Sequence, residues 1–197
     1  MTRRTKILVL FPLANDAVSQ ADQWIDIGKN SKCRIDDMVD ATNDCRTNEQ
    51  LVVVFAAGTD TSHSDGPTLA TLALRHFHSA HSHRSDVCIV NRDDKGVYGT
   101  DPEIVWGVTQ VLNQFPADSH NLMFSFGTQK RHMPRVEWIV RRRFPDLNAM
   151  FFVTEQTKEI PLWREVISWG KLMLGDGWLA QRVHQLRRAF PNRFDQA

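Results

Sequence analysis

The sequence predicts an α/β fold in which a mostly parallel sheet is covered by helices on both faces. Short apolar runs recur at 6–11, 51–57, 86–90, 122–126 and 149–153, and an amphipathic helical pattern follows each of them. Strands that alternate with helices call for parallel pairing, because only a crossover long enough to hold a helix can join two parallel neighbours. Runs apolar at every position, such as Val52-Val53-Val54, are typical of strands buried on both faces. With 197 residues the chain is most simply one α/β domain, set at 1–175, with a carboxyl-terminal helical extension at 176–197.

Composition narrows the class of function. Hydrophobic residues make up 42% and charged residues 24%, which excludes wholesale disorder. Lys and Arg total 24 against 23 Asp and Glu, so no global field favours a nucleic acid, and none is expected as a partner. The three cysteines, Cys33, Cys45 and Cys88, are odd in number and form no C-x-x-C pair. Reduced thiols and a cytoplasmic location are the default reading. The apolar run of the amino terminus, Ile7 to Phe11, is too short for a signal peptide or a membrane span and reads as the first strand.

Each element has its own signal. Pro12 ends the first strand, and from Asn15 or Asp16 a helical pattern through Val18, Trp24, Ile25 and Ile27 is expected to stop at Gly28. Arg34 then opens a clearer helix with Ile35, Met38, Val39 and Thr42 inward and Asp36, Asp40 and Asp44 at intervals of four outward. That acidic face is read as solvated rather than metal-binding, since the helix supplies no further ligands to complete a cation shell. The loop 58–66, rich in glycine and hydroxyls, follows the second strand, and Pro67 begins a helix carrying Leu69, Leu72, Ala73 and Phe77. His76, His78, His81 and His83 follow and read as a solvated connection, because His76 and His78 would diverge on a helix and the Ser-rich turn gives no fixed geometry. No metal is expected. After the strand at 86–90 and a polar turn at 91–96, Thr100 or Asp101 can cap a helix whose first turn holds Pro102 and Glu103.

The stretch 121–143 concentrates the chemistry. Leu122, Met123, Phe124 and Phe126 form a buried strand, and Pro134 suits the first turn of a helix that carries Val136, Ile139 and Val140 inward and ends at Phe144-Pro145. The turn between them, 127–133, lies at a strand's carboxyl end, where open α/β sheets hold ligands. His132 and Arg135 flank the helix start, beside backbone amides and the positive end of the dipole, and so could clamp an anion. A basic cluster at an ordinary surface loop explains the same residues.

Thr128-x-x-x-His132-Met133-Pro134-Arg135 after an apolar strand resembles the YdcF/SanA/ElyC family. Arg34 is similar to the arginine of an early family helix, Thr100 with Glu103 approximates a Thr-x-Glu-Asn motif with one residue added and no asparagine, and Glu165 matches a glutamate of the last family helix. The chain departs from the family at Phe11-Pro12 and Ala56-Ala57-Gly58, where glycines are usual. The resemblance implies a Rossmann-like three-layer sandwich and, for the soluble branch, S-adenosylmethionine as cofactor.

The functional expectation is a soluble protein binding a nucleotide-like or S-adenosylmethionine-like anionic small molecule at the carboxyl edge of the sheet, with transferase chemistry and enzyme status open. Arg34 and Arg135 would pair with a carboxylate or phosphate. Gly58, Thr59, Thr100, Glu103 and Thr128 would complete the binding site, and His132 would move protons in any reaction. A phosphate-directed hydrolase or transferase acting on a phosphorylated metabolite or carrier lipid uses the same residues. In a third reading the carboxyl-terminal helix, with Trp178, Leu179, Val183, Leu186 and Phe190 on one side, serves a partner or a homodimer.

Overall fold

A computed structural model describes residues 5–14, 16–20, 23–42, 49–58, 66–92, 99–117, 120–154 and 162–174. The chain divides into two compact units, Met1–Thr157 and Lys158–Ala197. The first holds β1 (Thr5–Pro12), β2 (Ala17–Gln20), β3 (Gln23–Ile27), α1 (Lys29–Asp40), β4 (Glu49–Phe55), α2 (Leu69–Ala80), β5 (Val87–Asn91), α3 (Thr100–Gln114), β6 (His120–Thr128), α4 (Met133–Arg143) and β7 (Ala149–Val153). The second holds α5 (Leu162–Leu174), the helix expected at those residues. The extension expected at 176–197 lies outside the described residues. No described helix is long and apolar enough to cross a membrane.

Five strands form one sheet in the order β5-β4-β1-β6-β7, and every pairing in it is parallel. Numbered within the sheet, that order is 3-2-1-4-5, the order of a Rossmann sheet. Strand alternation sends Leu8, Leu10, Leu51, Val53 and Phe55 to one face, where they pack with Ile35, Met38 and Val39 of α1 and Leu69, Leu72 and Phe77 of α2. The intervening residues, among them Val9, Phe11, Val54, Phe124 and Phe126, face the other side, where α3 and α4 lie. Helices on both faces complete the Rossmann-like α/β sandwich.

One glycine sets the spacing on the second face. A Cβ on Gly107 of α3 would collide with the Phe11 ring and stand 2.9 Å from Val54 Cγ1. The helix therefore approaches β1 and β4 more closely than any side chain allows. Gly107→Ala is expected to cost about 1–3 kcal/mol through overpacking, despite alanine's better helix propensity, and a urea midpoint unchanged or raised would refute this close contact.

The helix expected from Asn15 or Asp16 to Gly28 is instead the antiparallel hairpin β2–β3, with a bulge at Val18/Ser19. Trp24 and Ile27 are buried while Val18 and Ile25 are about half exposed. Four scattered apolar residues fit either period. Packing of β3 against α2 selects the hairpin. Likewise α1 begins at Lys29, so Arg34 sits mid-helix on the buried face rather than at its start.

Candidate functional site

The sheet order reverses between β1 and β6, so the carboxyl ends of these two strands frame the crevice where ligands of such folds sit. Past β1, the Leu13 amide donates to the Gly127 carbonyl at 3.1 Å, which ties the two strand ends together. The Leu13 carbonyl in turn accepts from Nη1 of Arg34. Arg34 is 0% exposed, and burial lowers its pKa to about 10 while neighbouring Asp16 works against that fall. It thus stands at the expected edge of the sheet, engaged by the protein's own groups.

Asp16 also fills the anion position of the first helix. Its carboxylate accepts from the amides of Asn30 at 3.3 Å and Ser31 at 2.9 Å and from the Ser31 hydroxyl. The N-cap residue, Gly28, has no side chain to do this, and a Cβ there would fall on the Asp16 carboxylate. In a dinucleotide-binding fold those amides meet a phosphate. Here a side chain of the chain itself takes the place.

On β6 and α4 the structure brings together Thr128, His132 and Arg135. Thr128 ends β6 fully buried, and its Oγ1 has no hydrogen-bond partner among the described residues. Arg135 Nη2 lies 2.8 Å from His132 Nδ1, and His132 Nε2 lies 3.2 Å from the Thr100 hydroxyl. A guanidinium can only donate, so Nδ1 accepts and the ring proton is on Nε2, directed at Thr100. The imidazole is therefore neutral in this arrangement. The amides expected to be free at this helix start are not: His132 and Met133 donate to the Gln129 carbonyl, Arg135 and Val136 to the His132 carbonyl, and Pro134 has none. Any anion held here is held by side chains.

The first turn of α3 contributes the third part. Gly99, at φ 140°, is the N-cap, so neither Thr100 nor Asp101 caps the helix as expected. Thr100 turns to His132, and Asp101 makes a two-pronged pair with Arg143 at 2.6 and 3.1 Å. The capping task falls to Glu103, whose Oε1 accepts from the Gly99 amide at 3.1 Å. Glu103 is buried, and burial pushes its carboxyl up to about pH 8 against the opposing influence of the Gly99 hydrogen bond, Arg92 and Arg135. It also lines a small cleft whose walls include Phe11, Phe55, Ala56, Ala57, Ala70 and Ala73.

Arg92 was legible only as part of a polar turn. It is buried at the end of β5, its amide bonded to the Phe55 carbonyl, and its guanidinium lies 5.4 Å from the Trp106 ring centre. A basic residue directly after an apolar strand was the available signal. Gly58 is buried, with its carbonyl accepting from Leu69, whereas Thr59 lies outside the described residues. Glu165 is buried on α5, in the second unit.

The histidine cluster is a solvated connection only in part: His78 and His83 are exposed, as expected, but His76 and His81 are not. His76 and His81 each place Nε2 2.9 Å from Asp36 Oδ1, and His81 packs on Phe77 with ring centres 5.5 Å apart. His76 and His78 diverge as expected, whereas His76 and His81 meet at Asp36 because α2 reaches Ala80 and α1 packs beside it, so the clasp joins two helices. Among the described residues no group of three or more His, Cys, Asp or Glu side chains is arranged to hold a metal ion.

No family model, curated protein or solved structure matches the chain. What the site does has to be argued from its own geometry.

Proposed function

We propose that the chain binds a small anionic molecule, nucleotide-like or S-adenosylmethionine-like, at the carboxyl edge of the sheet where the strand order reverses. The observation that carries this reading is Thr128: a hydroxyl buried at the end of β6 without a partner among the described residues, just before the turn that bears His132 and Arg135. An unpartnered buried hydroxyl costs about 1–3 kcal/mol, and a ligand oxygen or nitrogen would recover it. Arg92 and Arg135 supply positive charge close enough to act on Glu103 and suit a carboxylate or phosphate. Because Asp16 holds the α1 amides, the anionic group is assigned to the side of the crevice formed by α3 and α4. The likeness of the 128–135 motif to the YdcF family agrees with this ligand class.

His132 serves here as a positioning residue, linking Thr100 to Arg135 through its two ring nitrogens. Thermal unfolding with S-adenosylmethionine, its demethylated product, ATP, a nucleotide-sugar and inorganic phosphate tests the reading. A compound at about 100 times its dissociation constant adds roughly 2.7 kcal/mol, a shift of several degrees in a chain of this size. Arg135→Ala is expected to lower the unliganded midpoint only slightly and to abolish most of that shift. If none of the compounds moves the wild-type midpoint, the reading is wrong. Phosphate release from phosphoesters, lost in Arg135→Ala, would replace it with phosphate-directed hydrolysis.

A further inference from the structure

Arg135 is both the cation that the site offers to an anion and the donor that holds His132. Its Nη2 lies 2.8 Å from His132 Nδ1, and the other ring nitrogen, Nε2, is 3.2 Å from the Thr100 hydroxyl. The His132 residue is 4% exposed, so water has little part in satisfying the ring. Nδ1 can take either the Arg135 hydrogen bond or a proton of its own, because a guanidinium only donates and an imidazolium has no lone pair left to accept. With Arg135 in place the ring stays neutral. An anion that draws the guanidinium to itself leaves Nδ1 a buried acceptor without that donor, beside a negative charge that favours the imidazolium.

We propose that anion binding at Arg135 is coupled to protonation of His132: the anion takes the guanidinium, and Nδ1 takes up one proton from solvent. The coupling rests on the anion-binding reading above and names the ligand end that suits it, a doubly charged oxyanion such as a phosphate monoester. Such a group meets two cations, the guanidinium and the imidazolium, whereas a carboxylate carries one charge and is answered by Arg135 alone. His132 is then the residue that separates the two ligand classes, and its neutral form is the unliganded state of the site.

Several charged groups surround this pair. The first turn of α3 presents Thr100 to Nε2 and also carries Asp101 and Glu103. Asp101 is engaged by Arg143 at 2.6 and 3.1 Å. Burial raises the Glu103 carboxyl to about 8, and Arg135 and Arg92, the latter after β5, act on it in the opposite direction. In the turn before α4, Lys130 and Arg131 are exposed, where water and salt screen them. Because Arg135 acts on Glu103 as well as on His132, an anion that engages Arg135 alters the surroundings of both. A proton taken up by Glu103 would look the same in calorimetry, so the ring itself has to be observed.

Sulfate is the probe, since it keeps both charges throughout the neutral range, and acetate is the singly charged comparison. Imidazole 15N NMR of the full chain, with the His132 resonances assigned by their loss in His132→Gln, reads the tautomer and charge of the ring. Without sulfate the ring is expected in the neutral form protonated on Nε2. Saturating sulfate at pH 7 converts it to imidazolium, and acetate, bound or not, leaves it neutral. Calorimetric titration reads the linked effect, with circular dichroism confirming the fold of each variant. Wild-type affinity for sulfate falls by up to about tenfold per pH unit from pH 6 to 8, the interval in which imidazoles change charge. Glu103→Gln keeps that slope. His132→Gln, whose amide oxygen can still accept from Arg135, loses most of it. A ring that stays neutral with sulfate bound, or becomes imidazolium with acetate as well, overturns the proposal. So does a slope that survives in His132→Gln or vanishes in Glu103→Gln, sulfate binding undiminished in Arg135→Ala, or no sulfate binding to wild type. Failure of the anion-binding reading is seen separately, when none of the panel compounds above shifts the wild-type midpoint.

Discussion

Replacing Glu103 with Gln is expected to stabilise the protein in alkaline solution and to leave its stability almost unchanged near pH 4. In the unfolded chain the carboxyl ionises at its ordinary value of 4.5, and in the folded protein burial holds it to about 8. A group whose folded pKa is raised contributes stability that is fully present below the unfolded value and is lost as pH climbs through the folded one. Wild type should therefore weaken progressively between about pH 4.5 and 8 through this one residue, then level off. The interval corresponds to a ceiling of roughly 5 kcal/mol. Gln is nearly isosteric, and its amide oxygen can still accept from Gly99. Urea unfolding of both proteins from pH 4 to 9 measures the gap directly. Parallel stability curves would mean that Glu103 is ionised in the folded state.

Arg34→Met should be the most damaging single substitution in α1. Methionine matches much of the buried volume but leaves the Leu13 carbonyl without its donor and Asp16 without its cation. Leaving a buried acceptor without its charged donor costs about 1–3 kcal/mol, which in a chain of this length lowers the midpoint by several degrees. The loss should appear without any ligand, in contrast to Arg135→Ala, because Arg34 is 0% exposed. An unliganded midpoint within a degree or two of wild type, with ligand binding lost, would reverse the roles of the two arginines.

These contrasting expectations reflect what local patterns record. The strand at Ala149–Val153 and the helix at Leu162–Leu174 have the bounds that periodicity suggested, and the remaining strands of the sheet differ by a few residues. Arg34 and Arg135 look alike as basic residues near helix starts. Only their depth separates them, one mid-helix under the sheet and the other half-buried in the first turn of α4.

The sequence by itself determined the alternation of strands and helices, and through it the parallel sheet, because apolar periodicity is imprinted locally by which face each element buries. It also placed Thr128, His132 and Arg135 in one turn, since residues so close in the chain cannot be far apart. Tertiary structure decided everything that depends on which elements become neighbours. It chose the β2–β3 hairpin over a helix by packing β3 against α2, and it brought His76 and His81 to Asp36. It also put the Asp16 carboxylate on the α1 amides and brought Glu103 within the influence of Arg92 and Arg135. Charge and burial at a site are sums over neighbours remote in sequence, and no local pattern carries them.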